Sequence, residues 1–262
     1  MSEMKYELTL LGTGTSIGIP VPGCECRICR SFDHRNRRNR TSALLRAGGQ
    51  AVLIDTAPEF RLQALSAGLS GLDAVFWTHG HADHLHGLDD LRALTWKRPL
   101  KGYASSETIE EIRTRFDYLW KETQRGGGKA KVILNTVEPG ETVNVGPLEM
   151  IPIPVRHGDL RVFGWRCGPI AYVTDASEIP EESYPLLEGL SILVVGALRF
   201  KAHPTHFSVE RALEEIKKIR PKRAYLTHIS HEVSHRQLMK ATPRNVWPAR
   251  DGLRLRTSEV SD

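Results

Sequence analysis

Short apolar runs separated by turn residues set the first picture of this chain. Tyr6-Glu-Leu8-Thr-Leu10-Leu11 alternates apolar and polar positions and then meets Gly12-Thr-Gly14-Thr, which predicts a strand entering a glycine turn. Thr41–Arg46 and Gln50–Asp55 flank Gly48-Gly49 and predict a hairpin. Pro58 to Ala67 predicts a helix, with proline in its first turn and Gly68 at its end. Leu72 to Thr78 reads as a short apolar strand that runs straight into a histidine cluster. Ser106–Gln124 predicts a helix with Ile109, Ile112, Phe116 and Leu119 on one face, stopped by Gly126-Gly-Gly128. Val132–Leu134, Thr142–Val145, Leu148–Ile153, Ile170–Thr174, Ile192–Val195 and Ala224–Thr227 predict further strands. Ser208 caps a helix whose face is Val209, Ala212, Leu213, Ile216 and Ile219, ending before Pro221. The mixture of strands and helices predicts an α/β fold, and with no repeat or linker the whole chain, 1–262, reads as a single domain.

Composition changes this picture little. The 262 residues are 40% apolar and 26% charged, which suits one large core. No window approaches the ~18 consecutive apolar residues of a membrane span. The N-terminus lacks the apolar core of a signal peptide. The expected setting is therefore cytoplasmic, with no membrane partner. Net charge is +5, and much of the excess lies in Arg35-Asn-Arg37-Arg38-Asn-Arg40. That run reads either as a solvated basic loop or as a patch attracting a phosphate-bearing substrate. The Gly12-Thr-Gly14 turn is no dinucleotide loop, because it runs into Ile19-Pro-Val-Pro22 rather than into an amphipathic helix.

The chemistry is concentrated in His79-Gly-His81-Ala-Asp83-His84, four potential metal ligands in six residues. His79, Asp175 and His228 each follow a short apolar strand, and His157 follows a strand-like segment. Strand ends are where α/β sheets place ligand sites. Thr78-His-Gly-His-Ala-Asp-His84, His157 in Val155-Arg-His-Gly158, Asp175 in Val173-Thr-Asp-Ala-Ser177 and His228 in Leu226-Thr-His-Ile-Ser230 together resemble the metallo-β-lactamase fold superfamily. The resemblance runs from Leu10 to His231 and implies a four-layer αββα sandwich. It also implies that one ion takes His79, His81 and His157, that a second takes Asp83, His84 and His228, and that Asp175 bridges them. Zinc or manganese is expected there, with iron or nickel as further options. The implied chemistry is hydrolysis through a metal-bridging hydroxide. Asp83 has a second reading, as a carboxylate that orients a metal-bound histidine. His86 has no assigned role.

Cys24-Glu-Cys26-Arg-Ile-Cys29 supplies three thiols too close to pair well with one another. They read as a structural zinc site that needs a fourth ligand, with His231 favoured over His235, Cys167 and His34. Cys167 reads as a small buried apolar residue. The glycine turn, the cysteine motif and Thr227-His-Ile-Ser-His231 are similar to the branch containing the phosphoribosyl cyclic phosphodiesterase of bacterial phosphonate breakdown. The resemblance implies a small, cyclic ribose phosphodiester as substrate. It makes His206, just before the Ser208 helix, a general acid or phosphate contact, against a plain capping role. His203 has a weaker claim, and Arg156, Arg199 and Lys201 are candidate cations for the phosphate. Two other functions stay open: a tRNA 3′-end endonuclease, which makes nucleic acid a secondary partner, and a metal-bound carrier or sensor without turnover. A homodimer is compatible with all three.

Overall fold

The computed structural model describes residues 4–122 and 126–257. Among these, two seven-stranded sheets lie face to face. The first has the order β14 (Leu253–Arg256), β1 (Tyr6–Gly12), β2 (Ser42–Ala47), β3 (Gln50–Ile54), β4 (Ala74–Phe76), β5 (Leu100–Ala104) and β6 (Val132–Thr136). The second runs β13 (Val246–Pro248), β12 (Arg223–Thr227), β11 (Ile192–Gly196), β10 (Ile170–Val173), β9 (Leu160–Cys167), β8 (Leu148–His157) and β7 (Val143–Val145). Each sheet joins antiparallel hairpins to a parallel stretch, β3 to β6 in one and β10 to β13 in the other.

Three apolar clusters define four layers. Leu8, Leu45, Ile54 and Phe76 of the first sheet meet Leu148, Trp165, Tyr172 and Val194 of the second between the sheets. On the outer side of the second sheet, Val173, Val195 and Leu226 meet Val209, Ala212 and Ile216 of helix α4 (Val209–Ile219) and Leu238 of α5 (His235–Ala241). On the outer side of the first, Leu53, Val75 and Trp77 meet Phe60 of α1 (Phe60–Ser66) and Ile109 and Ile112 of α3 (Ser106–Arg115). α2 (Ala82–Leu85) is a single turn inside the histidine motif. This is the four-layer αββα sandwich that the family resemblance implied, and among the described residues no helix is long and apolar enough to cross a membrane.

Several expected boundaries move. The helix expected over 106–124 ends at Arg115, because Phe116 leaves helical backbone geometry and turns into the core. Thr123 and Gln124 lie outside the described residues. β8 continues through Pro152 and Pro154 to His157. Those prolines are tolerated because β7 pairs only with Leu148–Met150, so beyond it that side of β8 has no strand to lose a hydrogen bond to. β5, β9 and α5 carry too many charged or glycine positions to stand out in the sequence.

Candidate metal centre

His79 emerges three residues past β4, Asp175 two past β10 and His228 one past β12, while His157 closes β8. These ends converge, and their ligand atoms fall into two groups, each within 4.8 Å: His79, His81 and His157, then Asp83, His84, Asp175 and His228. Asp175 stands between them. Its Oδ1 lies 3.2 Å from His228 Nδ1 and 3.4 Å from His84 Nε2, and its Oδ2 lies 4.0 Å from His79 Nε2.

The donor set fits cations. His84 Nε2 is buried without a hydrogen-bond partner. Its other nitrogen, Nδ1, donates to Asp55 Oδ2 at 2.7 Å, which leaves the Nε2 lone pair directed at the cluster. Burial lowers the pKa of His84, but Asp83, Asp175 and Asp55 outweigh it and hold the pKa well above the ordinary value. The surrounding carboxylates therefore call for positive charge at this point. Burial pushes His79 well down, and it lowers His81 and His228 as well. Those three present neutral lone pairs, the form a metal needs.

Several supports around these residues were missed in the sequence. Asp55 is fully buried at φ 61° and also accepts from the Thr78 backbone N–H at 2.8 Å and the Thr78 hydroxyl. It follows the apolar run Val52-Leu-Ile54, so the strand-end rule that singled out His79 also covers it. Thr41 Oγ1 lies 3.0 Å from His228 Nδ1 and Thr15 Oγ1 3.2 Å from His228 Nε2. Gly80 lies against the Glu111 side chain, whose Oε2 would stand 1.9 Å from a Cβ added there, and Arg115 bonds both Glu111 and the Gly80 carbonyl.

His206 joins the cluster, with Nδ1 3.8 Å from Asp175 Oδ2 and its ring stacked on His228 at 4.9 Å. Burial, then the neighbouring His228, push its pKa down to about 3, so near neutral pH it offers a neutral N–H. His203 lies beside it, ring centroids 5.2 Å apart. Arg199 is tied to Glu232 at 2.5 Å, and His86 sits exposed against Phe116.

A second cluster stands apart. His231 Nδ1 lies 3.3 Å from Cys24 Sγ and 3.6 Å from both Cys26 Sγ and Cys29 Sγ. The alternatives do not reach it: His235 Nδ1 accepts from Arg38, Cys167 is buried between the sheets, and His34 opens an exposed turn. The Cys29 backbone N–H is the main cause that lowers Cys26 to about 6, while burial raises Cys29 to about 11. The arginine run is not a uniformly solvated loop, although Arg35 and Arg37 are exposed. Arg38 is buried and donates to Thr13 Oγ1 and the Ala249 carbonyl at 2.7 Å, Arg40 pairs with Glu59 at 2.6 Å, and Arg35 pairs with Asp33. The run straps down the Gly12–Ser16 turn. Gly12 is needed there because a Cβ would fall 1.9 Å from the Arg40 carbonyl.

The family profile described as the beta-lactamase superfamily domain matches residues 50–229, most of the chain, and the match includes both candidate ligand groups. The chain belongs to this superfamily. It has the metallo-β-lactamase fold. A crystal structure of a new diphosphatase from the PhnP family is 38% identical, with TM-score 0.91, covering 97% of this chain and 98% of that one. Zinc-bound PqqB from Methylobacterium extorquens shares the fold at 20% identity and TM-score 0.78, over 95% of this chain and 99% of that one. A Porphyromonas gingivalis protein named octanoyltransferase is 38% identical over 93% of this chain and 50% of its own length. A Bradyrhizobium ribonuclease Z is 32% identical over 61% of this chain and 49% of its own length. The chain thus spans about half the length of these curated relatives.

Proposed function

We propose that this protein is a binuclear metal-dependent phosphodiesterase acting on a small phosphoric diester, with a cyclic ribose phosphate as the leading substrate. The observation that carries the reading is the split carboxylate of Asp175, one oxygen turned to His84 and His228 and the other to His79. In this reading His79, His81 and His157 hold one divalent ion, and Asp83, His84 and His228 hold the other, zinc or manganese in both. Two such ions, when bound, supply Lewis acidity at the phosphoryl oxygen and acidify water toward neutral pH. The protein's share is orientation and hydrogen bonding. His206 donates its neutral N–H to a phosphoryl or leaving oxygen. Asp55, Thr41 and Thr15 hold the imidazoles against rotation. Cys24, Cys26, Cys29 and His231 hold a closed structural zinc that pins the long loop after Gly14.

The diphosphatase name of the 38% identical structure favours a second reading, hydrolysis of a diphosphate linkage. The two are close chemically, since a phosphorus between two bridging oxygens is attacked in each. The ribonuclease Z relatives support pre-tRNA as a further comparison. One assay decides among them: hydrolysis of ribose 1,2-cyclic phosphate, a diphosphate diester such as ADP-ribose, bis-p-nitrophenyl phosphate and precursor tRNA, with metal content measured on the same sample. Preference for the cyclic ester with about three ions per chain supports the leading reading. Preference for the diphosphate, or cleavage of tRNA alone, replaces it. Silence on all four at full metal content favours a carrier.

A further inference from the structure

Thr205 links the metal cluster to a residue outside it. His157 Nδ1–H donates to the Thr205 carbonyl at 2.6 Å, which directs His157 Nε2 inward. Thr205 also packs on the next residue, Gly158, where a Cβ would stand 2.9 Å from Thr205 Cγ2. Thr205 belongs to a loop closed at its base by the Leu198 N–H to Phe207 carbonyl bond at 3.0 Å and the Val209 N–H to Arg199 carbonyl bond at 2.8 Å. Toward the tip, the hydrogen bonds on Thr205 go to His157 and to His203. His203 Nδ1 accepts the Thr205 backbone N–H at 3.3 Å and faces the Thr205 hydroxyl at 3.2 Å. An imidazole acceptor two residues before the N–H it receives does the work an asparagine does in an Asx turn, closing the Pro204 corner.

We infer that His203 is a positioning residue: it fixes the Thr205 carbonyl that orients His157, and thereby sets the affinity of the His79–His81–His157 group for its ion. The inference rests on the proposed reading of that group as a metal site. A metal-bound imidazole is oriented by the acceptor of its other N–H, and loss of such an acceptor weakens metal binding. Here the acceptor is a loop carbonyl, so its precision depends on what orders the loop. His206, next to Thr205, is placed by the same clasp.

The test is zinc binding against a competing chelator for the wild type, His203→Ala, His203→Asn and His157→Ala, with thermal unfolding of each metal-free protein. His157→Ala should lose one ion. His203→Ala should weaken that same ion on the order of 10- to 100-fold, leaving the other ion and the cysteine-held zinc unchanged. His203→Asn, which keeps an acceptor for the Thr205 N–H, should recover most of the affinity. Wild-type affinity in His203→Ala, with an ion lost in His157→Ala, overturns the inference and leaves the metal reading standing. No loss in His157→Ala overturns the metal reading itself. Weakening of every ion together with a lower unfolding temperature, unrescued by asparagine, assigns His203 a purely structural role and also overturns the inference. If His203→Ala does not fold, His203→Asn decides: near-wild-type binding supports the clasp, and equally weakened binding refutes it.

Discussion

Asp55→Asn separates orientation of a ligand from stability of the fold. Asp55 accepts three hydrogen bonds, from His84 Nδ1 at 2.7 Å, the Thr78 N–H at 2.8 Å and the Thr78 hydroxyl at 2.9 Å. Asparagine has nearly the same shape and tolerates the positive φ of 61°. Its carbonyl oxygen can keep the Thr78 donors, which leaves an amide N–H₂ facing His84 Nδ1. His84 then takes its proton on Nε2 to avoid two opposed donors, and Nε2 is the atom aimed at Asp175 3.4 Å away. A protonated nitrogen cannot ligate. The expected loss is ~10- to 100-fold in affinity for the ion proposed at Asp83, His84 and His228. That equals about 1.4–2.7 kcal/mol and comes with a comparable or larger loss of activity. Metal-free stability, measured by urea unfolding, should change by no more than about 1 kcal/mol, because the neutral replacement keeps most of the buried bonds. Chelator competition for the second ion reads out the first quantity. Wild-type affinity in a folded Asp55→Asn protein refutes the tautomer argument. So does a large loss of metal-free stability with metal binding intact.

Three further outcomes are expected. Cys24→Ser should remove one zinc per chain and lower the unfolding temperature while the other ions remain, as metal analysis and calorimetry would record; unchanged zinc content would show that the thiols hold none. Gly80→Ala pushes a Cβ into Glu111 Oε2, the far end of a flexible side chain, so stability should change by about 1 kcal/mol or less. Activity should nonetheless fall about tenfold or more, because Arg115 loses its joint grip on Glu111 and the Gly80 carbonyl, and adding Glu111→Ala should not restore it. Burial raises Asp251 from 3.8 to about 6, against the bonds from Asn39 and Thr13. The folded state then holds the proton more tightly than the unfolded chain, so stability falls as pH rises from about 4 to 6, by up to about 3 kcal/mol, and is flat above. Urea unfolding of the wild type and Asp251→Asn across that range tests this, and an identical pH slope in the two proteins would sink it.

The clustering of the candidate ligands was legible because these side chains are chemically conspicuous and several follow the end of an apolar run. His79, Asp175 and His228 follow β4, β10 and β12, whose residues are buried throughout. The cysteine motif was legible for the same reason, and His231 lies close enough to His228 to be tested by spacing alone. What stayed hidden is what holds these groups in place. Thr41 and Thr15 are ordinary residues in sequence and gain meaning only from a fold that brings them to His228 across 187 and 213 positions. Arg38 misled for the opposite reason. Within Arg35-Asn-Arg37-Arg38-Asn-Arg40 it reads as one more surface charge, yet it is 3% exposed and bonded to Thr13 and Ala249. Composition records how many charges a segment has, and only the fold decides which of them turns inward.

The placement of strain points the same way. Among the described residues, Asp55, Arg220 and His228 are the non-glycine residues with positive φ. Arg220 merely ends α4, where a left-handed residue is usual. The other two lie at the metal cluster, each at the end of a buried strand. Such backbone costs roughly 1–3 kcal/mol per residue and persists only where surrounding contacts over-determine it. Both residues have those contacts: three donors on the Asp55 carboxylate and a threonine on each nitrogen of His228. The strand ends therefore turn sharply enough to aim a carboxylate and an imidazole at one point, and side-chain hydrogen bonds hold the turns. The fold itself places the donors, so metal affinity should respond to changes in these neighbours as well as in the ligands.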